Sequence, residues 1–408
     1  MEKILMNLAL IIDDYLPDST RVGAKMFHEL ALELINLGHN VTVITPSTGQ
    51  KEKLIKSRID DVNVWRFRSG PIKDVNKFQR AINETLLSYN AWAAIKDEVA
   101  PEQFDGVIYY SPSIFFGELV RKLKQKCRCT SYLILRDLFP QWVIDAGMIK
   151  KGSALDRYFR IFEKFNYNAA DTIGLMSEKN LEVFESFNTQ VFRTEILRNW
   201  SKLQPSSHLG KSKSIRAELG LEDKIIYFYG GNIGHAQDMA NLMRLAKGMK
   251  TYKNAHFLFV GQGDEFDLVQ RLAHQWELSN FTLLESVNQE RFKEILTEID
   301  IGLFSLSAKH TAHNFPGKLL GYMVESKPIL GSVNSNNDLL ELVNENEAGC
   351  ISVNGEDEEL LNNAILLYKN ASLRSQAGCN AYQLLQKEFS VCNIANQLTN
   401  RLQKHAIS

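Results

Sequence analysis

Short apolar runs alternate with amphipathic stretches along almost the whole chain, and that pattern leaves few folds open. The first run, Ile4 to Ile12, reads as a buried strand that breaks at Asp13-Asp14-Tyr15-Leu16-Pro17-Asp18. A helix is expected from about Arg21 to Leu37, with Met26, Phe27, Leu30, Leu34 and Leu37 on its inner face and Gly38 as its stop. The strand Val41 to Ile44 follows at once. Strand, loop, helix, strand is the opening unit of a doubly wound domain. Further strands are expected at 62–67, 106–110, 131–135, 172–176 and 195–197, with helices near 74–99, 113–127, 153–168 and 178–187. Such alternation builds a parallel sheet covered by helices on both faces.

A polar, proline-punctuated segment, Lys202 to Ser207, is the best linker. Beyond it a second series predicts strands at 224–229, 256–260, 281–284, 299–306, 328–330 and 349–352. Its helices fall near 236–250, 264–277, 288–297, 317–325, 336–344 and 357–369, and two more close the chain. With 408 residues there is room for two such domains, set at 1–204 and 205–389. Net charge is −1, divided as +3 over residues 1–204 and −4 over the rest, which does not point to nucleic acid. No apolar run is long enough to span a bilayer, and the start MEKILMNLALIIDD reads as a strand rather than a signal segment. The cysteines are five and scattered, which fits reduced thiols; Cys127-Arg128-Cys129 offers no zinc spacing.

One stretch concentrates the chemistry. Between the apolar run Ile301 to Leu306 and Pro328-Ile329-Leu330 lies the segment AKHTAHNFPGKLLGYMVESK. Asn314 is a good N-cap and Pro316 suits a first turn, so a helix is expected from about Phe315. The free N–H groups of Phe315, Gly317 and Lys318 would then face the loop, a ready anion site. Lys318 sits in the first turn, where the dipole disfavours a cation, and that placement suggests an anion beside it. Gly321, in mid-helix, suggests a close approach to the backbone.

Phe315-Pro316-Gly317-Lys318-Leu319-Leu320-Gly321-Tyr322-Met323, followed by Lys327-Pro328-Ile329-Leu330, resembles the donor-binding segment of family 4 glycosyltransferases of the GT-B fold. The resemblance implies two Rossmann-like α/β domains facing a central cleft, the first binding the acceptor and the second the nucleotide sugar. It also implies that the last helix, 390–408, crosses back onto the first domain. Two glutamates common in the family fall on His313 and Gly321 here, so both are missing. Gly23 alone stands for the family's glycine pair in the first loop.

Gly230-Gly231-Asn232-Ile233-Gly234 follows the strand IIYFY, and glycines there let a backbone approach a phosphate. The motif is weak by itself, because tight strand–helix packing explains such glycines about as often. GNIG followed by Ala-Gln resembles a subgroup acting in bacterial surface-polysaccharide synthesis. Asn232 and Gln237 occupy the positions where relatives carry an arginine and a lysine, which leaves Lys318 as the main cation for the diphosphate. Gly261-Gln262-Gly263-Asp264-Glu265 resembles the family's VGxGxE and reads first as a tight turn capping its strand. Glu285-Ser286-Val287 ends the next strand, where relatives pack the base against backbone. Arg136-Asp137, directly after a buried strand, point to the ligand side of a doubly wound sheet, with the alternative that they only pair or cap the next turn. In relatives a sugar-binding histidine stands at Arg136. Glu163 matches a helix glutamate that steadies a loop.

His235, His310 and His313 read as solvated loop residues, and no metal site is expected. Five cations between Arg121 and Arg128, next to Phe115 and Phe116 and with Lys150-Lys151, suggest contact with an anionic membrane. Taken together, the resemblance is closest to N-acetyl-L-fucosamine transferases of O-antigen assembly. It implies a retaining enzyme that moves a sugar from a UDP donor to undecaprenyl-diphosphate-linked N-acetylglucosamine, without metal or other cofactor, on the inner face of the plasma membrane. The residues expected to act are Arg136, Asp137 and Lys318. Donor contacts are expected from Gly23, Gly231, Asn232, Gln237, Glu285, Val287, His313, Asn314, Phe315, Pro316, Gly317, Lys318 and Gly321. The alternatives are a nucleotide-sugar 2-epimerase and a binding protein without chemistry.

Overall fold

The computed structural model describes residues 5–19, 21–72, 75–145, 147–206, 213–308 and 317–406. Two compact units divide the chain: Met1–Trp200 together with Val391–Ser408, and Ser201–Ser390.

The first unit is built on eight strands: β1 Asn7–Ile11, β2 Asn40–Ser47, β3 Leu54–Ile59, β4 Val62–Arg68, β5 Gly106–Ser111, β6 Thr130–Leu135, β7 Thr172–Leu175 and β8 Thr194–Ile196. Their order across the sheet is β3-β4-β2-β1-β5-β6-β7-β8. All pairs are parallel except β3 with β4. Along β1 the side chains divide between two cores, Leu8 and Leu10 on one face, Ala9 and Ile11 on the other. A strand buried on both faces needs a continuous apolar run, and that is how β1 reads. The chain returns at its end: the helix Val391–Ala406 lays Ile394, Ala395, Leu398 and Leu402 into the same core as Phe27 and Trp200. Gln397 Nε2 donates to the Ile196 carbonyl at 2.8 Å and fixes that helix against β8.

The second unit has six strands, all parallel: β9 Ile225–Asn232, β10 Ala255–Gln262, β11 Phe281–Leu284, β12 Ile301–Ser305, β13 Ile329–Val333 and β14 Gly349–Val353. The order β11-β10-β9-β12-β13-β14 is the 3-2-1-4-5-6 arrangement of a dinucleotide-binding domain. It reverses direction between β9 and β12, and the crevice at their carboxyl ends is where such sheets hold ligands.

Several expectations change. β3 was not expected, because LIKSRI is almost wholly exposed and only antiparallel pairing with β4 makes it a strand. The stretch expected as one helix over 74–99 is two, Lys77–Thr85 and Leu87–Ile95, parted at Leu86. The helix expected from 236 starts at Met239, after a single 3-10 turn and a left-handed Asp238 with φ 50°. β9 runs on through Gly231 to Asn232, so the glycine pair is strand end rather than loop. The helix placed at about Phe315 is observed as Lys318–Val324, with Gly317 at its N-cap; Phe315, Pro316 and the proposed cap Asn314 lie outside the described residues.

Candidate functional site

β12 pairs with β9 only as far as Gly302 opposite Phe228, and beyond that point the two strands separate. Tyr322 fills the gap. Its hydroxyl lies 3.3 Å from the Phe228 carbonyl and 3.2 Å from the Leu303 carbonyl, and it accepts from the Gly230 N–H at 3.3 Å. The helix Lys318–Val324 is thereby pinned at the switch point of the sheet. Lys318 is four residues earlier, one turn along the same face, so the pin also aims its side chain at the tip of β9.

There the lysine meets an unusual setting. Its stem is half-exposed, but Nζ exposes less than 1 Å² and has no hydrogen-bond partner among the described residues. Nζ stands 3.8 Å from the centre of the Tyr229 ring. It is also 3.6 Å from where a Cβ on Gly231 would sit. Gly231 has φ +119°, a conformation that strains any other residue, so the glycine gives both the turn and the open space beside the amine. Burial pushes the Lys318 ammonium down to about 7. The ring face of Tyr229 works in the opposite sense and favours the charged form. A desolvated cation with no acceptor is costly unless a counter-ion completes it.

The rest of the β9 tip is held from below. Asn232 Nδ2 donates to Gln237 Oε1 at 2.8 Å, so these two residues order each other. Glu265 acts as a clasp: one oxygen accepts from the Met239 N–H at 3.0 Å, the other lies 2.8 Å from His235 Nδ1. The glycines of the turn before it answer to close backbone contacts. A Cβ on Gly261 would fall 1.9 Å from the Gly231 carbonyl oxygen, and one on Gly263 2.2 Å from that of Ile233. GQGDE is therefore a buttress for GGNIG. Alongside, Gln262 lies opposite Asn232 in the ladder and accepts from Ser286 Oγ at 2.9 Å.

Of the expected donor residues, Gly231, Asn232, Gln237, Gly317 and Lys318 thus gather at the ends of β9 and of the pinned helix. Glu285, exposed, and Val287, packed on the core, flank Ser286 just past β11. Gly321 faces Leu296, whose Cδ1 would lie 3.2 Å from an added Cβ, so the close approach there is core packing. His313, Asn314, Phe315 and Pro316 fall outside the described residues. Tyr229, Tyr322 and Glu265 were missed. The i, i+4 spacing of Lys318 and Tyr322, and an aromatic as the last inward residue of a strand, were the signals available.

In the first unit Gly23 lies in the first turn of the helix Val22–Asn36, 3.5 Å in Cβ terms from the Tyr110 ring. Burial pushes the Tyr110 hydroxyl up to about 12, with Arg136, Asp137 and Asp13 as the charges around it. Asp137 is raised by burial, which the Arg136 charge only partly offsets. Arg136 does not turn outward. It is 7% exposed, donates to the carbonyls of Leu197 at 2.7 Å and Arg198 at 3.0 Å, and lies over the Trp200 ring. Desolvation lowers it to about 10. As placed, the guanidinium braces the segment after β8 and is not open to a sugar. Glu163 accepts from Arg160 and from the Tyr167 hydroxyl, and Arg160 in turn donates to Gln141, which steadies the loop after β6. Asp13, Asp14, Arg21 and Ser47 line an open hollow of 660 Å³ beside this cluster.

The basic run does not form the surface expected of it. Phe115 and Phe116 are buried, at 4% and 0% exposure. Arg121 and Lys122 pair with Glu118, Lys124 with Asp171 and Arg128 with Glu102, while Lys126 donates to the Lys96 carbonyl. Among the described residues no group of His, Cys, Asp and Glu could hold a metal ion, and no helix is long and apolar enough to cross a membrane.

The second unit is also where a family model matches. The family model of glycosyl transferases group 1 matches residues 211–384. That segment is similar to the group 1 family over most of the second unit. The Lys318 helix, the β9 tip and its buttress all lie inside it. A probable glycosyltransferase of Pseudomonas aeruginosa, WbjE, is 22% identical over 219 residues, 53% of this chain and 54% of that one. The chain thus matches about half the length of that relative. The putative colanic acid biosynthesis glycosyl transferase WcaI of Escherichia coli is 22% identical over 283 residues, 65% of this chain and 68% of that one. Anabaena HepE, solved in complex with UDP, superposes with TM-score 0.69 over 98% of this chain and 100% of its own, at 13% identity. The fold is GT-B, with two parallel-sheet α/β domains.

Proposed function

We propose that the chain is a retaining, metal-independent glycosyltransferase of family 4 that uses a UDP-sugar. The sugar is N-acetyl-L-fucosamine, passed to undecaprenyl-diphosphate-linked N-acetylglucosamine during O-antigen assembly at the inner face of the plasma membrane. The observation that carries the reading is the Lys318 ammonium, desolvated and without a hydrogen-bond partner among the described residues, beside a glycine whose missing side chain leaves room for a phosphate. A diphosphate there would complete the lysine with charge-assisted hydrogen bonds. As the leaving phosphate gains charge, the same contact would strengthen, which is how a buried cation lowers a barrier. Support for UDP comes from the resemblance around Lys318 and from the HepE complex; support for a polysaccharide role comes from the names of WcaI and of the subgroup that GNIG resembles.

In this reading Gly231, Asn232 and Lys318 hold the diphosphate, and the amides near Gly317 hold donor oxygens. Asp137 meets a sugar, while Arg136 holds the segment after β8. The test is incubation of purified protein with UDP-sugars and a short-chain lipid diphosphate acceptor. Transfer with retained configuration is expected. Release of UDP with a 2-epimer, or binding without turnover, would each overturn the assignment.

A further inference from the structure

Exposed apolar side chains are not shared evenly between the two units. Among the described residues, every exposed large hydrophobic except Leu366 belongs to the first unit. The helix Ala154–Ala169 carries the densest group, with Leu155, Ile161 and Phe165 at 48%, 54% and 56% exposure. Arg157 and Lys164 are exposed beside them. Positions 157, 161, 164 and 165 are spaced i, i+4, i+7 and i+8, which puts them on one face.

The carboxylates of this helix are turned the other way. Asp156 is buried, accepts from the Gly152 N–H at 2.7 Å and lies 3.3 Å from Arg160. Glu163 accepts from Arg160 at 2.9 Å and from the Tyr167 hydroxyl at 3.2 Å. The outward face therefore holds apolar side chains, cations and the amide of Asn168, which accepts from Gln190 Nε2 at 2.9 Å, but no acid of this helix. Just before it, Met148 is 67% exposed and Lys150 and Lys151 are exposed too, which continues the same chemistry. Folding does not need this face, because Phe159 and Tyr167 already anchor the inner side in the core.

We infer that this face of the helix Ala154–Ala169 is the surface by which the protein lies on an anionic lipid bilayer. Ile161 and Phe165 enter the boundary between headgroups and acyl chains, and Arg157 and Lys164 meet lipid phosphates. An apolar stripe with cations beside it is the composition a monotopic helix needs. Charge argues against a second copy as occupant, since a symmetric contact would bring the same cations to one patch. The inference builds on the proposed lipid-linked acceptor but names a different surface from the paired run 121–128.

The test is co-sedimentation of the full chain with phosphatidylcholine vesicles with and without phosphatidylglycerol, at low and high salt, beside a melting curve and UDP calorimetry. Wild type should bind the anionic vesicles and release at high salt. Ile161→Ser with Phe165→Ser should weaken binding by about tenfold or more. Arg157→Gln and Lys164→Gln should each cost about fivefold and flatten the salt dependence. All should melt and bind UDP as wild type does. No sedimentation of wild type would overturn the inference, as would unchanged binding by these variants. So would a dimer, seen by analytical ultracentrifugation, that Ile161→Ser with Phe165→Ser breaks. Vesicle binding without sugar transfer would leave this surface standing and remove the proposed acceptor instead.

Discussion

Replacing Lys318 by methionine keeps most of the stem and removes the charge, so it separates cost from use. In the free protein the ammonium is held at about 7 against an ordinary 10.5. At about 1.4 kcal/mol per unit this sets an upper limit of roughly 5 kcal/mol. The Tyr229 ring face offsets roughly 1–2 kcal/mol of that, leaving about 3 kcal/mol. The folded pKa lies below the unfolded one, so between about 7 and 10.5 the unfolded chain binds the extra proton. Native stability therefore rises with pH through that window, and the penalty is fully present below it. Lys318→Met should melt roughly 6–12 °C above wild type at pH 6, at about 2–4 °C per kcal/mol for a domain of this size. The gap should close towards pH 10. The same variant should bind UDP about 10- to 150-fold more weakly, from lost charge-assisted bonds of roughly 1.5–3 kcal/mol. Wild-type UDP binding should take up a proton above pH 7, visible by calorimetry in buffers of different ionisation enthalpy. Wild-type UDP affinity in the variant, or a melt at pH 6 no higher than wild type, would refute the reasoning.

Three further substitutions probe the surroundings. Arg136→Ala removes the two hydrogen bonds that the guanidinium donates to the Leu197 and Arg198 carbonyls and should cost roughly 2–4 kcal/mol in urea unfolding, while turnover per folded molecule is largely kept. Asp137→Asn should raise the melting temperature at pH 7, because burial holds this carboxyl above its ordinary value. The cost of its charge is present above the folded pKa and relieved as pH falls through it, so that gain should shrink in acid. Its transfer rate should nonetheless drop on the order of 100-fold if the carboxylate orients a sugar. Gly261→Ala drives a Cβ to within 1.9 Å of the Gly231 carbonyl oxygen and should cost about 2 kcal/mol or more, with weaker UDP binding as the β9 tip shifts. An unchanged melt would show that the tip yields freely.

Periodicity is a property of neighbouring residues, and it determined most of the architecture from the chain alone. The strands buried on both faces, such as β1 and β9, declare themselves as unbroken apolar runs, and the two alternating series predict two parallel sheets. Lys318 was legible for a similar reason: a cation in a first helical turn breaks a local rule. What the sequence could not carry were relations set by distant contacts. β3 is a strand only because β4 offers it hydrogen bonds, and its exposed side chains have no period to betray it. Phe115 and Phe116 read as a membrane edge, yet packing buries both, while the carboxylates Asp156 and Glu163 turn inward and leave another helix face to cations and apolar groups. Arg136 reads as a ligand group because it follows a strand, but the fold brings the carbonyls after β8 to its guanidinium. The role of Tyr322 depends on β9 and β12 parting beyond Phe228, which no local pattern records. Desolvation of the Lys318 nitrogen, on which its chemistry turns, arises only when the ring of Tyr229, 89 residues earlier, closes over it.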